Sequence, residues 1–200
     1  MADKSPHLNL QADTARMRSR IDTSSDEVII VDANDVPIGT APKLEAHRRG
    51  LRHRAISVFI GDVRGRLLLH RRSAEKYHSA GLWTNTCCSH PRPGEAAHDA
   101  AIRRLAEEMG IACPLVFFFS MQYRADVSNG LIEDEIVHVF GGRFGGTPNP
   151  NSLEVSDWCW KPSAEIARDV DERPKIYTVW FRKFRDDFWS DIVGSLRNLS

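Results

Sequence analysis

Trp83-Thr84-Asn85-Thr86-Cys87-Cys88-Ser89-His90-Pro91 leads into Gly94-Glu95 and then into Arg103-Arg104-Leu105-Ala106-Glu107-Glu108-Met109-Gly110. Ala101, Ile102, Leu105 and Met109 recur at helical spacing, and Gly110 is a natural residue to close the last turn. An amphipathic helix is therefore expected over Glu95 to Met109, with a thiol, an imidazole and several carboxylates just before it or on it. Cys88 and His90 stand two apart in a loop bracketed by Trp83 and Pro91. A cysteine beside an imidazole can titrate near neutrality and exchange protons. A buried structural cysteine with a capping histidine accounts equally well for the same residues. Cys87 reads as a small packed hydrophobe facing the other way.

Elements of both kinds flank this stretch. Upstream, Glu27 to Val31 is a β-branched strand followed by a turn, and Thr40-Ala41-Pro42 opens a helix that carries Lys43 to Arg49 and ends at Gly50. Ala55 to Ile60 and Leu67 to Leu69 form a hairpin about the turn Asp62-Val63-Arg64-Gly65. Downstream, strands are expected over Val116–Tyr123, Ile132–Phe140 and Asp157–Lys161, then a short helix from Ser163. Tyr177, Trp180, Phe181, Phe184, Phe188, Ile192 and Leu196 predict one long amphipathic helix beyond Pro174. This mixture implies an α+β domain, an α/β/α sandwich with a mixed sheet over residues 26–200, preceded by a flexible polar extension over 1–25.

The 200 residues suffice for one domain with an ample core. Lysines and arginines balance aspartates and glutamates at 27 each, so no overall field recruits nucleic acid or an anionic membrane. No apolar run reaches the roughly 20 residues of a membrane span. Met1 to Pro6 lacks the charged-then-apolar layout of a secretory signal. Cys87, Cys88, Cys113 and Cys159 form no C-x-x-C pair, which excludes a zinc knuckle and a thioredoxin-like motif. The expectation is a reduced, cytoplasmic protein, a monomer or weak dimer.

Glu133 and Glu135 are two apart in a strand, so both carboxylates leave one face of the sheet. Like charges that close need a cation or a shared proton between them. A solvated acidic face is the simpler account of the pair alone. His47 and His53 gain meaning only if they converge with His90 and this pair; three imidazoles and two carboxylates would suit Mn²⁺, Zn²⁺ or Mg²⁺. Lys43, Arg72, Lys76 and Arg104 are candidates to grip a diphosphate, although each alone is an ordinary surface cation. Trp180 offers a ring to a cation or simply core, and the Tyr123 phenol can reach a catalytic carboxyl.

The stretch from Ser89 to Ile111 resembles the Nudix box, G-x5-E-x7-R-E-U-x-E-E-x-G-U, with U aliphatic. Glu95, Arg103, Leu105, Glu107, Glu108, Gly110 and Ile111 fall in register, while Ser89 replaces the opening glycine and Arg104 the second acid. Lys43-Leu44-Glu45-Ala46-His47, Arg71-Arg72, Gly81 to Asn85, Cys88 to Pro91 and Glu133-Asp134-Glu135 recur in the order of the type 1 isopentenyl-diphosphate isomerases, a Nudix-fold family, over about residues 27 to 190. The resemblance implies a Nudix fold and interconversion of isopentenyl and dimethylallyl diphosphate. It implies that His47, His53, His90, Glu133 and Glu135 hold a divalent metal, Mn²⁺ or another ion such as Zn²⁺. Cys88 and Glu135 would be acid/base groups on opposite faces of the substrate, with Tyr123 assisting. Glu108 and the carbonyl of Cys88 would hold a Mg²⁺ that arrives with the diphosphate. Lys43, Arg72, Lys76 and Arg104 would grip the phosphates, and Trp180 would face a cationic intermediate. Two rivals are a Nudix hydrolase of nucleoside diphosphates, against which Arg104 argues, and a non-enzymatic binding module of the same fold.

Overall fold

The structure, a computed structural model, describes residues 26–199. The expected extension over 1–25 lies outside the described residues. The fold grows from β3 (Arg52–Gly61), whose side chains are buried on both faces. Ala55 and Phe59 enter one core, and Ile56, Val58 and Ile60 the other. β4 (Arg66–Arg72) repeats the pattern, with Leu67 and Leu69 on one side and Leu68 on the other. Strands buried on both faces read as continuous apolar runs, which is why these two stand out in the sequence.

Among the described residues the sheet has nine strands and is mixed. β3 runs parallel to β8 (Leu131–Arg143) and antiparallel to β1 (Glu27–Val31), β4 and β6 (Cys87–Ser89). β7 (Leu115–Val127) pairs with β8, and β9 (Val155–Pro162) with β4. One face is covered by α2 (Ala97–Met109) through Ala101, Leu105 and Met109. The other is covered by α3 (Ser163–Glu172), α4 (Val179–Asp187) and α5 (Trp189–Asn198) through Ile166, Phe181, Phe184 and Ile192. This is the expected α/β/α sandwich.

The hairpin between β3 and β4 opens directly beyond its turn: the strands pair at Gly61 and Leu67 and then diverge to other partners. Polar side chains stitch the gap. Thr86 Oγ1 accepts from the Ile60 amide at 3.0 Å and donates to the Leu68 carbonyl at 2.7 Å. Asn85 Nδ2 donates to the carbonyls of Val58 and Cys87, both at 3.0 Å. Buried polar groups of this kind are tolerated because each is paired.

Three local expectations change. Helix α2 begins at Ala97, because Glu95 turns back to accept from the Arg92 amide and holds Arg103 with both carboxylate oxygens. Ile102 is 40% exposed, and Ala100 takes its place in the buried stripe. At the far end Gly110 has φ 64° as expected, and a Cβ there would lie 2.4 Å from the Asn149 carbonyl oxygen. Residues Pro37–Pro42 form β2, so Thr40-Ala41-Pro42 end a strand rather than open the helix; prolines at both ends are tolerated because, among the described residues, β2 pairs only with β1. The single C-terminal helix is two, because Phe188 leaves the helix at φ −134° and stacks on Phe119 with ring centroids 4.9 Å apart. The bend returns Ile192 and Leu196 to the core that holds Phe181 and Phe184.

Asp169 ties α3 to its surroundings, accepting from Lys161 Nζ and Tyr177 Oη at 2.7 Å each and from Arg173. Burial opposes its charge, but these three donors prevail and hold the carboxyl at about 2. A carboxyl depressed in the fold adds stability above its ordinary value of 3.8, and that stability is lost as pH falls through about 2. Asp169→Ala is expected to cost about 1–3 kcal/mol, chiefly by stranding the Tyr177 hydroxyl and two cations. Urea melts of both proteins at pH 7 and at pH 2 check this: the difference between them should shrink at the lower pH.

Candidate active site

Strand register assembles the site. In the parallel β3–β8 ladder His53 lies beside Glu135, and in the β7–β8 ladder Tyr123 lies across from it. Ser57, two pairs further along the same face of β3, is partnered on its other side by Cys88 of β6. Cys88 and Glu135 therefore sit on strands flanking β3 on opposite edges. Cys87, one residue earlier, packs into the α2 core. The short helix α1 (Lys43–Arg49) closes one end and carries His47.

His47, His53, His90 and Glu135 bring their ligand atoms within 4.8 Å of one another. His53 Nε2 is 3.2 Å from His90 Nε2, and Glu135 Oε1 is 3.0 Å from His90 Nε2 and 3.4 Å from His53 Nε2. The Nδ1 atoms of His47 and His53 each meet a carbonyl at 2.7 Å, of Lys43 and Leu51. A carbonyl only accepts, so Nδ1 carries a proton in each ring and Nε2 is the atom left facing the cluster. Burial pulls His47 down to about 4 and His90 to about 3, so both rings are neutral at pH 7. His47 Nε2 is buried with no hydrogen-bond partner. A buried lone pair aimed at other lone pairs and a carboxylate is a donor set for a divalent cation. Glu133 does not join these four: it forms a second set with His47 and His78, 3.7 Å from His78 Nε2.

The Tyr123 hydroxyl lies 2.7 Å from Glu133 Oε2 and 2.9 Å from Glu135 Oε2. A phenol has one proton, so two short contacts to carboxyls require one of them to be protonated. Burial and the neighbouring Glu135 charge raise Glu133 to about 8, which makes it the protonated one. Glu135 is equally buried, but its contacts with the His53 and His90 rings outweigh this and hold it well below the usual carboxylate range. Burial drives the Tyr123 phenol well above its ordinary value and the Cys88 thiol up to about 12. The Cys88 Sγ donates to Asn85 Oδ1 at 3.0 Å and lies 3.2 Å from Ser57 Oγ. The site thus holds a protonated thiol and an ionised carboxylate facing one cavity.

That cavity is lined by Cys88, Glu135, Tyr123, Trp180 and Phe184. Lys43, Lys76 and Arg104 line both it and the wider cleft outside. A NUDIX domain matches residues 51–181. "Isopentenyl-diphosphate Delta-isomerase 1" of Aromatoleum aromaticum is 57% identical over 155 residues, 78% of this chain and 88% of that protein. An isopentenyl-diphosphate Delta-isomerase of Burkholderia multivorans is 50% identical over 156 residues, 78% of this chain and 89% of its own length. The chain belongs to the isopentenyl-diphosphate Delta-isomerase family of NUDIX proteins. Two solved structures share the fold at low identity. DR0079 of Deinococcus radiodurans has TM-score 0.65 and 15% identity, covering 81% of this chain and 99% of that one. A MutT protein of Methanosarcina mazei has TM-score 0.58 and 18% identity, covering 74% of this chain and 96% of that one.

Against the NUDIX box, Arg104 is the informative departure. Its guanidinium binds Glu108 Oε1 at 2.6 Å, Glu107 Oε2 at 2.8 Å and Glu154 Oε1 at 3.2 Å. Burial disfavours the charge, yet these carboxylates hold the arginine firmly protonated. Glu108 therefore faces a built-in cation and stands apart from the His/Glu cluster. Lys76 also pairs with Glu154. Arg72 is buried; it donates to the His78 carbonyl at 3.1 Å and lies 5.2 Å from the Trp180 ring centre, a cation–π contact. Lys43 sits 5.0 Å over the Tyr77 ring.

His78, Ser57 and Asn85 belong to this isomerase-family site but carry no functional signal in the sequence. His78 sits in the loop between β4 and β5 (Trp83–Thr84), which is pinned to the β7–β8 turn by Ser128 Oγ on the Ser79 amide at 2.7 Å and Asn129 Nδ2 on the Tyr77 carbonyl at 2.6 Å. Only the register of a distant hairpin brings it in. Asn85 stands in the Gly81 to Asn85 segment, and an amide between hydrophobic strands is the one sequence sign of its buried position.

Proposed function

We infer that this chain interconverts isopentenyl and dimethylallyl diphosphate. The observation that carries the reading is the pairing of one filled and one empty proton site, Cys88 and Glu135, on strands at opposite edges of β3 and facing a single cavity. Isomerisation adds a proton at the terminal C4 methylene, gives a tertiary cation at C3, and removes a proton from C2. It therefore needs one donor and one acceptor on the two sides of the substrate, and the return reaction resets both. Tyr123 lies between Glu133 and Glu135 and holds the Glu135 carboxylate in place. Trp180 and Phe184 keep water from the cation, and the indole face stabilises it by up to ~2 kcal/mol.

The diphosphate is the anchor, gripped by Lys43, Lys76, Arg72 and Arg104 at the mouth. His47, His53, His90 and Glu135, with Glu133 beside them, would hold a Mn²⁺ or Zn²⁺ ion; such an ion supplies Lewis acidity and a fixed positive charge. Glu108 and the Cys88 carbonyl are assigned to a Mg²⁺ that enters with the diphosphate. Among the described residues no helix is long and apolar enough to cross a membrane, and our reading is a cytoplasmic monomer or weak dimer.

The test is incubation with isopentenyl diphosphate and Mg²⁺ in D₂O, followed by NMR beside a phosphate-release assay. Deuterated dimethylallyl diphosphate without phosphate release is the expected outcome. Phosphate release from a nucleotide panel, with no isomerisation, would return the chain to the hydrolases.

A further inference from the structure

The hydroxyl of Thr84 is fully buried and makes every hydrogen bond it can. It donates to Asn85 Oδ1 at 3.0 Å and accepts from Trp180 Nε1 at 2.8 Å and from Thr178 Oγ1 at 3.2 Å. An indole N–H can only donate, so the Thr84 oxygen must accept from Trp180, and its own proton is left for Asn85. The orientation of Asn85 is not free either. Its Nδ2 is spent on the Val58 and Cys87 carbonyls, which leaves Oδ1 to accept from Thr84 and from the Cys88 thiol at 3.0 Å. Thr178 in turn is the N-cap of α4, its oxygen accepting from the Phe181 amide, and its amide donates to the Trp83 carbonyl at 3.0 Å. Hydrogen bonds therefore link the start of α4 through Thr84 to Asn85 Oδ1, where the Cys88 thiol donates as well.

We infer that Thr84 is a positioning residue that sets the Cys88 thiol and the Trp180 ring relative to each other across the cavity. This rests on the isomerase reading for its consequence but on hydrogen bonds alone for its geometry. Trp180 reaches the cavity from a helix, and Cys88 from β6, paired to β3. Apolar packing alone allows such elements to slide by fractions of an ångström. The Thr84 hydroxyl, bonded directly to Trp180 and through Asn85 Oδ1 to Cys88, removes that freedom. A cation formed at C3 must meet the indole face while a proton passes at the thiol, so the separation of these two walls enters the barrier directly. Thr84 touches no substrate; it acts through its neighbours.

Thr84→Val keeps the shape and deletes the hydroxyl, whereas Thr84→Ser restores it. With the metal-loaded protein, the valine variant is expected to lose about 30- to 100-fold in kcat, the scale set by sub-ångström misplacement of reacting groups. KM and the Kd for inorganic diphosphate, measured by calorimetry, should stay within about twofold because the phosphate grips are untouched. The second readout is alkylation of Cys88 by iodoacetamide at fixed pH, located by mass spectrometry. It should quicken by about fivefold or more in the valine variant as Asn85 loses its partner, and the serine variant should match the parent in both assays. If valine fails to fold by circular dichroism, Thr84→Ala takes its place with the same readouts. The inference is overturned by parental kcat in the folded valine or alanine variant, by a fall in kcat without a change in alkylation, or by serine behaving like valine. A parent without isomerase activity would instead sink the functional reading, and alkylation alone would then decide the role of Thr84.

Discussion

Cys88→Ala is expected to lower isomerisation by about 10²- to 10⁴-fold, the contribution of a positioned acid/base group, while the protein stays folded and still binds inorganic diphosphate. The fold survives because the lost contacts are few. Asn85 Oδ1 keeps Thr84, and Ser57 loses one contact, with the sulfur. The cost should be about 1 kcal/mol of stability. Glu135→Gln should be as damaging, since an amide neither accepts nor delivers the proton and leaves Tyr123 facing the wrong partner. The cysteine variant is the cleaner test, because Glu135 also belongs to the His/Glu cluster. Steady-state turnover, thermal melting and diphosphate calorimetry on the same preparation separate chemistry from folding. Activity within about tenfold of the parent in the folded Cys88→Ala protein would remove Cys88 from the mechanism.

How much of this was legible beforehand depends on what each signal is made of. The two-sided strands β3 and β4 and the stripe of α2 are periodicities of apolar residues, and they read directly from the chain. β2 did not, because Pro37, Gly39 and Pro42 carry breaker chemistry that only an edge strand tolerates. The break at Phe188 did not, because an aromatic residue at helical spacing looks the same whether it continues a helix or ends one against Phe119. His47, His53 and His90 have no local spacing that marks them as ligands; the resemblance pointed to them, and the β3–β8 register explains why they meet at Glu135. Thr84 and Asn85 look like turn residues, since burial of a short polar side chain is a property of the tertiary fold. Arg104 was visible as an exception to a pattern, and its three carboxylate partners now show what the exception does: it places a permanent cation where the box would place an acid.

Removing divalent metal should silence the protein as completely as removing the thiol. His47 presents a lone pair with no partner in a fully buried position, and His53 and His90 bring two Nε2 atoms within 3.2 Å of each other. Without a cation the first is an unpaid desolvation, and the second requires a proton on one ring to avoid repulsion. A divalent ion satisfies all three nitrogens and the Glu135 carboxylate at once, so it should bind the folded chain and not the unfolded one. Prolonged treatment with EDTA is therefore expected to abolish turnover, and Mn²⁺ or Mg²⁺ added back should restore it. Metal at 100 times its Kd should also raise stability by about 2.7 kcal/mol, visible as a rise in Tm that grows with ion concentration. His47→Ala should lose most of that stabilisation even though the residue lies on α1, away from the thiol, because it deletes the one donor with nothing else to bind. Undiminished turnover in EDTA, or a Tm that ignores added metal in the parent protein, would refute the metal centre and leave the three imidazoles as packing.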